Sequence, residues 1–379
     1  MGKSSEANLG KFWFFNSPRR LFRQDYSSAM EKIVDRYSKN DELLAIYDWG
    51  SPSNPGISDL DIVFVMRDDA KNPLSLGQRS FMCLDGKTRY IARHPFVFIS
   101  ENGFGDIPYV YPRASLRKIW GKSIGIKKIS KNEEKGILHA VLNDIVIRHY
   151  PRDFLHQQMG RKINVRDSML RLNSLKYTFA TIKMLRGKGN FAWEGFAKDV
   201  SRLREEWFEK KDEKKLAALC DEAVGITMEI IEAAMEIMEG NYGQLTKSLP
   251  EKISYSGIKN STLFLKKWES GFALEKMRET IKRKMRDISI LPVELAPQLL
   301  FYGGQQGKIS AHIRKNLHPF VPIEMSGSQL ARRMGVLNGQ AELAYRLRHS
   351  DFPAFFDFGY RNTSGINNTA LRMLDSIRF

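Results

Sequence analysis

Cysteine is almost absent. Cys83 and Cys220 are the only two, far apart and in apolar settings, which excludes a disulfide framework and a thiolate metal cluster. A reducing, cytoplasmic location is the expectation. An uninterrupted apolar run long enough to span a bilayer is also missing, and the aromatic cluster Phe12-Trp13-Phe14-Phe15 is far shorter than the core of a signal peptide. The chain is therefore expected to be soluble, with no transmembrane segment. Histidine is sparse, and His139, His149 and His156 show no metal-ligand spacing with a paired acid. Acids are in the minority: 43 Asp and Glu face 60 Lys and Arg, a net charge of +17. That surplus favours polyanionic partners such as nucleotide phosphates, nucleic acid or an anionic membrane surface, without choosing among them.

What is present is chain enough, 379 residues, for two or three domains with a sizeable core. The most informative stretch is 43 to 66. An apolar run, Leu43 to Tyr47, enters a turn at Gly50-Ser51. A loop rich in Pro, Gly and Asn then leads to Ser58-Asp59-Leu60-Asp61, where a second apolar run, Ile62 to Val65, begins. Alternate side chains of a strand share a face, so Asp59 and Asp61 are expected to project together while Leu60 and Ile62 point into the core. Carboxylates held this closely repel each other unless a hard cation lies between them. Mg²⁺ suits a site of one or two carboxylates completed by water and substrate phosphate. Gly50 lets the backbone approach an anion with no Cβ in the way, and Ser51 adds a hydroxyl and an N–H for phosphate oxygens.

The ordered set of strand, Gly50-Ser51, Gly56, Ser58-Asp59-Leu60-Asp61 and strand resembles the signature of the DNA polymerase beta-like nucleotidyltransferase superfamily, over roughly residues 25 to 130. The resemblance implies an α+β domain with a mixed sheet and flanking helices, which transfers a nucleoside monophosphate from a nucleoside triphosphate such as ATP. It implies Mg²⁺ on Asp59 and Asp61 in a two-metal arrangement, the β- and γ-phosphates on Gly50 and Ser51, and Ser58 supporting the turn. Two departures stand out. Only seven residues separate Ser51 from Asp59, a shorter loop than the family's. The third carboxylate expected on a later strand has no counterpart in Pro95 to Ser100; Glu101, and Asp106 beyond it, are the nearest substitutes. A reading of a different class is a catalytically inactive member of the fold that binds nucleotide or RNA through a basic surface. The acceptor, whether RNA, protein or small molecule, stays open.

The remaining chain divides into an arm (1 to 24), the sheet domain (25 to 130), a helical bundle (131 to 240) and a smaller mixed C-terminal region (241 to 379). In the arm, aromatics from Phe12 to Phe22 are expected to pack onto the sheet domain. A helix is expected from Asp25, with Met30, Ile33, Val34 and Tyr37 on one face. Asp85-Gly86 between two apolar runs predicts a hairpin of Ser80 to Leu84 with Thr88 to Ala92. Residues 113 to 131 concentrate Arg113, Arg117, Lys118, Lys122, Lys127, Lys128 and Lys131 among Tyr109, Tyr111 and Trp120, a candidate surface for triphosphate or acceptor or else a solvated charged face. Apolar stripes at helical spacing fill 137 to 147, 172 to 185 and 216 to 237, and Glu239 to Gly243 is expected to break the last of these. A charged helix is expected near 269 to 286 and a further one from Ser326. Gly303 to Ser310 resembles a phosphate loop only superficially, because Tyr302 stands where that motif needs its first glycine.

Overall fold

The computed structural model describes residues 12–50, 52–71, 84–93, 96–113, 115–147, 150–247, 250–256, 261–266, 278–279, 287–292, 315 and 328–347. Across these the chain is α+β, with three sheets and two main apolar cores. Strand β1 (Trp13–Phe15) opens the described chain. Helix α1 (Arg23–Tyr37) starts where the Asp25 carboxylate accepts the Phe22 N–H at 2.8 Å. It buries Tyr26, Ala29, Ile33 and Tyr37, a stripe at helical spacing.

Strands β2 (Leu43–Trp49) and β3 (Asp61–Met66) pair antiparallel, with Trp49 opposite Asp61 and Asp48 opposite Ile62. Helix α2 (Gly86–Ala92) leads to β4 (Val97–Ser100), which lies parallel to β3. Helix α3 (Glu101–Gly105) follows, and β5 (Leu116–Gly121) lies antiparallel to β2. The sheet order is β4-β3-β2-β5. The middle strands read as near-continuous apolar runs because both faces are covered. Ile46, Ile62 and Phe64 pack with Ile33 of α1 and Ile91 of α2, whereas Tyr47 meets Phe104 of α3 on the other face, ring centroids 4.4 Å apart.

The helical block comprises α4 (Lys131–Ile147), α5 (Tyr150–Gly160), α6 (Val165–Arg186), α7 (Phe191–Lys210) and α8 (Glu213–Lys247), with strand β6 (Lys162–Asn164) before α6. The periodic stripes of α6 and α8 bury together with Trp193, Phe196, Val200, Leu203 and Trp207 of α7. Strands β7 (Lys252–Ser256), β8 (Ser261–Lys266) and β9 (Asp287–Pro292) form a third sheet. Helix α9 (Ser328–Arg346) returns to the first sheet, where buried Arg333 donates to the carbonyls of Tyr109 and Val110 at 3.1 and 2.6 Å. Among the described residues no helix is long and apolar enough to cross a membrane.

Three expectations are corrected. The hairpin at Asp85-Gly86 is instead the start of α2: Asp85 accepts the Lys87 and Thr88 N–H groups at 3.0 and 3.1 Å, and an aspartate serving as N-cap overrides the turn signal. Ser80 to Cys83 lie outside the described residues. The aromatic arm packs on the helical block rather than on the sheet domain. Strand β1 runs parallel to β6, Phe12 and Phe14 pack on the helical core, and Trp13 is left 58% exposed. Glu239 to Gly243 does not interrupt α8, which continues to Lys247. Two glycines cost a helix only about 1 kcal/mol each, which the long packed stripe ahead of them outweighs. The expected helix at 269 to 286, apart from 278–279, and the loop 302 to 310 lie outside the described residues.

Candidate active site

The geometry of the site begins with how the chain turns between β2 and β3. Gly50 has φ +107°, a left-handed conformation that only glycine adopts freely, and its N–H donates to the Ser115 carbonyl at 2.9 Å. Ser51 lies outside the described residues. From Asn54 the chain makes a tight turn in which the Ile57 and Ser58 N–H groups donate to the Asn54 carbonyl at 3.1 and 2.8 Å, and the Asn54 N–H donates to the Ser58 hydroxyl at 3.2 Å. Gly56 (φ +87°) leaves no room for a side chain: a Cβ there would lie 2.0 Å from the Arg19 carbonyl oxygen.

Buried polar groups hold this turn from behind. The Tyr26 hydroxyl donates to the Ser58 carbonyl at 2.5 Å and accepts the Gly56 N–H at 3.0 Å. Burial pushes that hydroxyl up to about 12, so it stays protonated and can donate. Arg166, at the start of α6, donates to the carbonyls of Ile57, Tyr90 and Ser58 at 3.2, 2.7 and 3.3 Å, its guanidinium 3.8 Å from the centre of the Tyr90 ring. Arg204 of α7 donates to the Ser58 hydroxyl at 3.0 Å. Both arginines are 3% exposed. Burial lowers both pKa values from the usual guanidinium value, opposed in part by the Asp59 charge. Guanidinium groups stay protonated in proteins, so both remain charged. Ser58, 6% exposed, is thus an internal strut of the turn.

Past the strut the chain extends. Leu60, 1% exposed, sinks into the core beneath α1 and donates its N–H to the Ile91 carbonyl at 3.0 Å. Asp59 and Asp61 occupy the alternate positions and share the other side of the chain. Arg93, the residue after α2, places a guanidinium nitrogen 3.7 Å from Asp59 and pairs through its other one with Asp167 in the first turn of α6. The hydroxyl of Tyr177, further along α6, is raised first by burial and then by the Asp61 and Asp59 charges, with Arg204 acting in the opposite sense. Lys176 beside it is lowered by burial and by Arg204.

Among the described residues no third acid joins the pair to form a metal-holding group. Asp48 is on the neighbouring strand; its raised pKa reflects burial first, with the Arg117 guanidinium at 2.7 Å lowering it and Asp61 raising it. It stands opposite Ile62, not Asp61, and its partner Arg117 reaches Met30 of α1, so it serves the far face of the sheet. Glu101 follows Ser100, which pairs with Met66 at the opposite end of β3. Five residues of strand put it about 17 Å from Asp61, and it is paired with Lys122 at 2.7 Å. Asp106 is paired with Lys127 at 2.8 Å. Among the described residues no group of three or more His, Cys, Asp or Glu could hold a metal ion. Two carboxylates on one side of an extended chain fit Mg²⁺ only where phosphate and water fill its other positions.

The basic stretch 113 to 131 is largely committed elsewhere. Arg113 pairs with Glu134, Arg117 with Asp48, Lys122 with Glu101 and Lys127 with Asp106, and Lys118 donates to the Ser123 hydroxyl at 2.7 Å. The cations that do flank Asp59 are Arg93, Arg166 and Arg204, which the sequence reading did not single out. A trace of them was there: Arg204 interrupts the polar-apolar pattern between buried Leu203 and Trp207 of α7. Comparison with protein-family models, with curated proteins and with solved structures found no match to this chain.

Proposed function

We propose that the chain is a Mg²⁺-dependent nucleotidyltransferase, moving a nucleoside monophosphate from a nucleoside triphosphate to a hydroxyl-bearing acceptor. The observation that carries this reading is the pairing of Asp59 and Asp61 beside an extended strand mouth, with Leu60 driven into the core between them and the left-handed Gly50 turn at the end of the neighbouring strand. Asp59 and Asp61 would hold the metal. Bound there, Mg²⁺ supplies neutralisation of charge at the attacked phosphorus and on the departing pyrophosphate. The protein's own part is positional. The turn from Asn54 to Ser58 fixes the aspartates through the Tyr26, Arg166 and Arg204 contacts. Gly50 leaves open space where a Cβ would stand, so that a phosphate can lie close to the backbone. Arg166 and Arg204 place positive charge behind the turn, next to Asp59.

A second reading is favoured by one observation. Arg93 already neutralises Asp59, and the described residues offer no third acid, which suits a protein that binds nucleotide or RNA without transferring it. One experiment separates the readings: thermal unfolding with each of the four nucleoside triphosphates, with and without Mg²⁺, for the wild type and an Asp59→Asn/Asp61→Asn variant. A ligand bound only by the native state raises the melting temperature. The transferase reading expects a Mg²⁺-dependent rise that the variant loses, together with pyrophosphate release. A rise that persists without Mg²⁺ and in the variant, with no pyrophosphate, establishes the second reading.

A further inference from the structure

Helices α6 and α7 meet in a hairpin at Gly187 to Asn190, and between them runs an open groove of about 600 Å³, on the scale that takes a nucleotide-sized ligand. Its lining combines two properties. The first is positive charge with little compensation. Lys183 pairs with Glu194 at 3.0 Å and Arg186 pairs with Glu236, but Lys176 and Lys188 have no acidic partner among the described residues. The second is an aromatic side chain held in water: Phe191, the first residue of α7, is 93% exposed, the most exposed large apolar side chain described. A bare phenyl ring among unpaired lysines has little structural use, since α7 already buries Trp193, Phe196 and Trp207.

Lys176 and Lys188 both line this groove, as does Phe191. From Lys176 to Arg186, the end of α6, is roughly 15 Å along the helix, with Lys188 in the turn beyond it. Cations that follow a backbone and an aromatic face that accepts any base are the two elements of single-strand recognition. A duplex presents its base faces to each other and offers nothing to the ring. We infer that this groove binds single-stranded nucleic acid, with a base stacked on Phe191 and phosphates on Lys188 and Lys176. That the strand is the acceptor rests on the transferase reading; its binding does not.

The test is fluorescence anisotropy of labelled 12-nucleotide RNA and DNA single strands, with the corresponding duplexes for comparison, over a range of salt concentrations. Wild-type protein is expected to bind a single strand more tightly than either duplex. Phe191→Ala is expected to weaken that binding about tenfold or more with an unchanged melting temperature, since the ring packs against nothing. Lys188→Gln is expected to reduce the slope of log affinity against log salt by about 0.7. A preference between RNA and DNA identifies the strand. The Asp59→Asn/Asp61→Asn variant, having lost two negative charges, is expected to bind the strand at least as well as wild type, so failure of the transferase reading leaves this result standing. Absence of binding, equal binding of duplex, or wild-type affinity in both groove variants overturns the inference.

Discussion

Two groups of basic side chains in this molecule look alike in composition and differ in use. The stretch from Arg113 to Lys131 is dense in sequence, but four of its cations are spent on acids, three of them in the sheet domain and one, Glu134, on α4, and their side chains are 50 to 63% exposed. Arg166 and Arg204 are isolated in sequence, 3% exposed, and aimed at the carbonyls and hydroxyl of the Asn54 to Ser58 turn. A charge in water contributes little to one particular geometry, because solvent screens it and side-chain entropy opposes it. A guanidinium buried against three carbonyls fixes those carbonyls, since any departure leaves a desolvated charge without partners. Charge density along the chain therefore points to solubility and general attraction for anions, while the cations that shape the site are the buried ones.

The comparison can be broken or sharpened by substitution. The largest effect is expected at the feature the buried group serves. Asp59→Asn and Asp61→Asn should each reduce pyrophosphate release 10²–10³-fold, about 3–4 kcal/mol of transition-state stabilisation, and near-normal turnover would remove the metal-holding assignment. Next, Arg166→Ala should lower unfolding free energy by about 3 kcal/mol in urea titrations; a loss under 1 kcal/mol would erase the distinction between the two groups. Tyr26→Phe, which strips the Gly56 N–H of its acceptor, should cost about 2 kcal/mol in the same titration.

A local cap provides a smaller yardstick. Asp85→Ala should cost about 1 kcal/mol. The Thr88 hydroxyl, ahead of the Thr88 N–H and Lys32, holds the Asp85 carboxyl well below the usual carboxylate range. A carboxyl depressed in the folded state stabilises above its unfolded pKa, near 4, and that contribution fades as pH falls through the folded value. The gap between wild type and Asp85→Ala should thus be full at neutral pH and narrow on acidification, as read from melting temperatures at graded pH. Smallest of all, Arg113→Ala and Lys122→Ala should each change stability by less than about 1 kcal/mol, with the difference shrinking in high salt.

Much of the fold was legible because it is written in short-range periodicity. The alternation at Leu60 and Ile62 gave the buried side of that segment, and the stripes on α1, α6 and α8 gave their buried faces. Where two local signals competed, at Asp85, capping of Thr88 outweighed the hairpin reading, a choice that depends on what the next residues can bury. The support of the site was not legible, for a reason of distance: Arg204 lies 146 residues from Ser58 and Arg166 lies 108. Locally Arg204 shows only as a charge among the buried positions of α7, and what it holds is set once the helices are packed. Glu101 fails as a partner for Asp61 on similar grounds, because the parallel register of β4 on β3 sends it to the other end of the strand.

The pairing of β1 with β6 also sets a timetable. Trp13–Phe15 lies against Lys162–Asn164, and Asn16 donates to Asn164 across 148 residues. At ribosomal rates of about 5–20 residues per second, the aromatic arm waits roughly 7–30 s for its partner strand to be made. During that interval Phe12, Trp13, Phe14 and Phe15 have no sheet to join. The aromatic arm is therefore without its partner strand through the whole synthesis of the sheet domain.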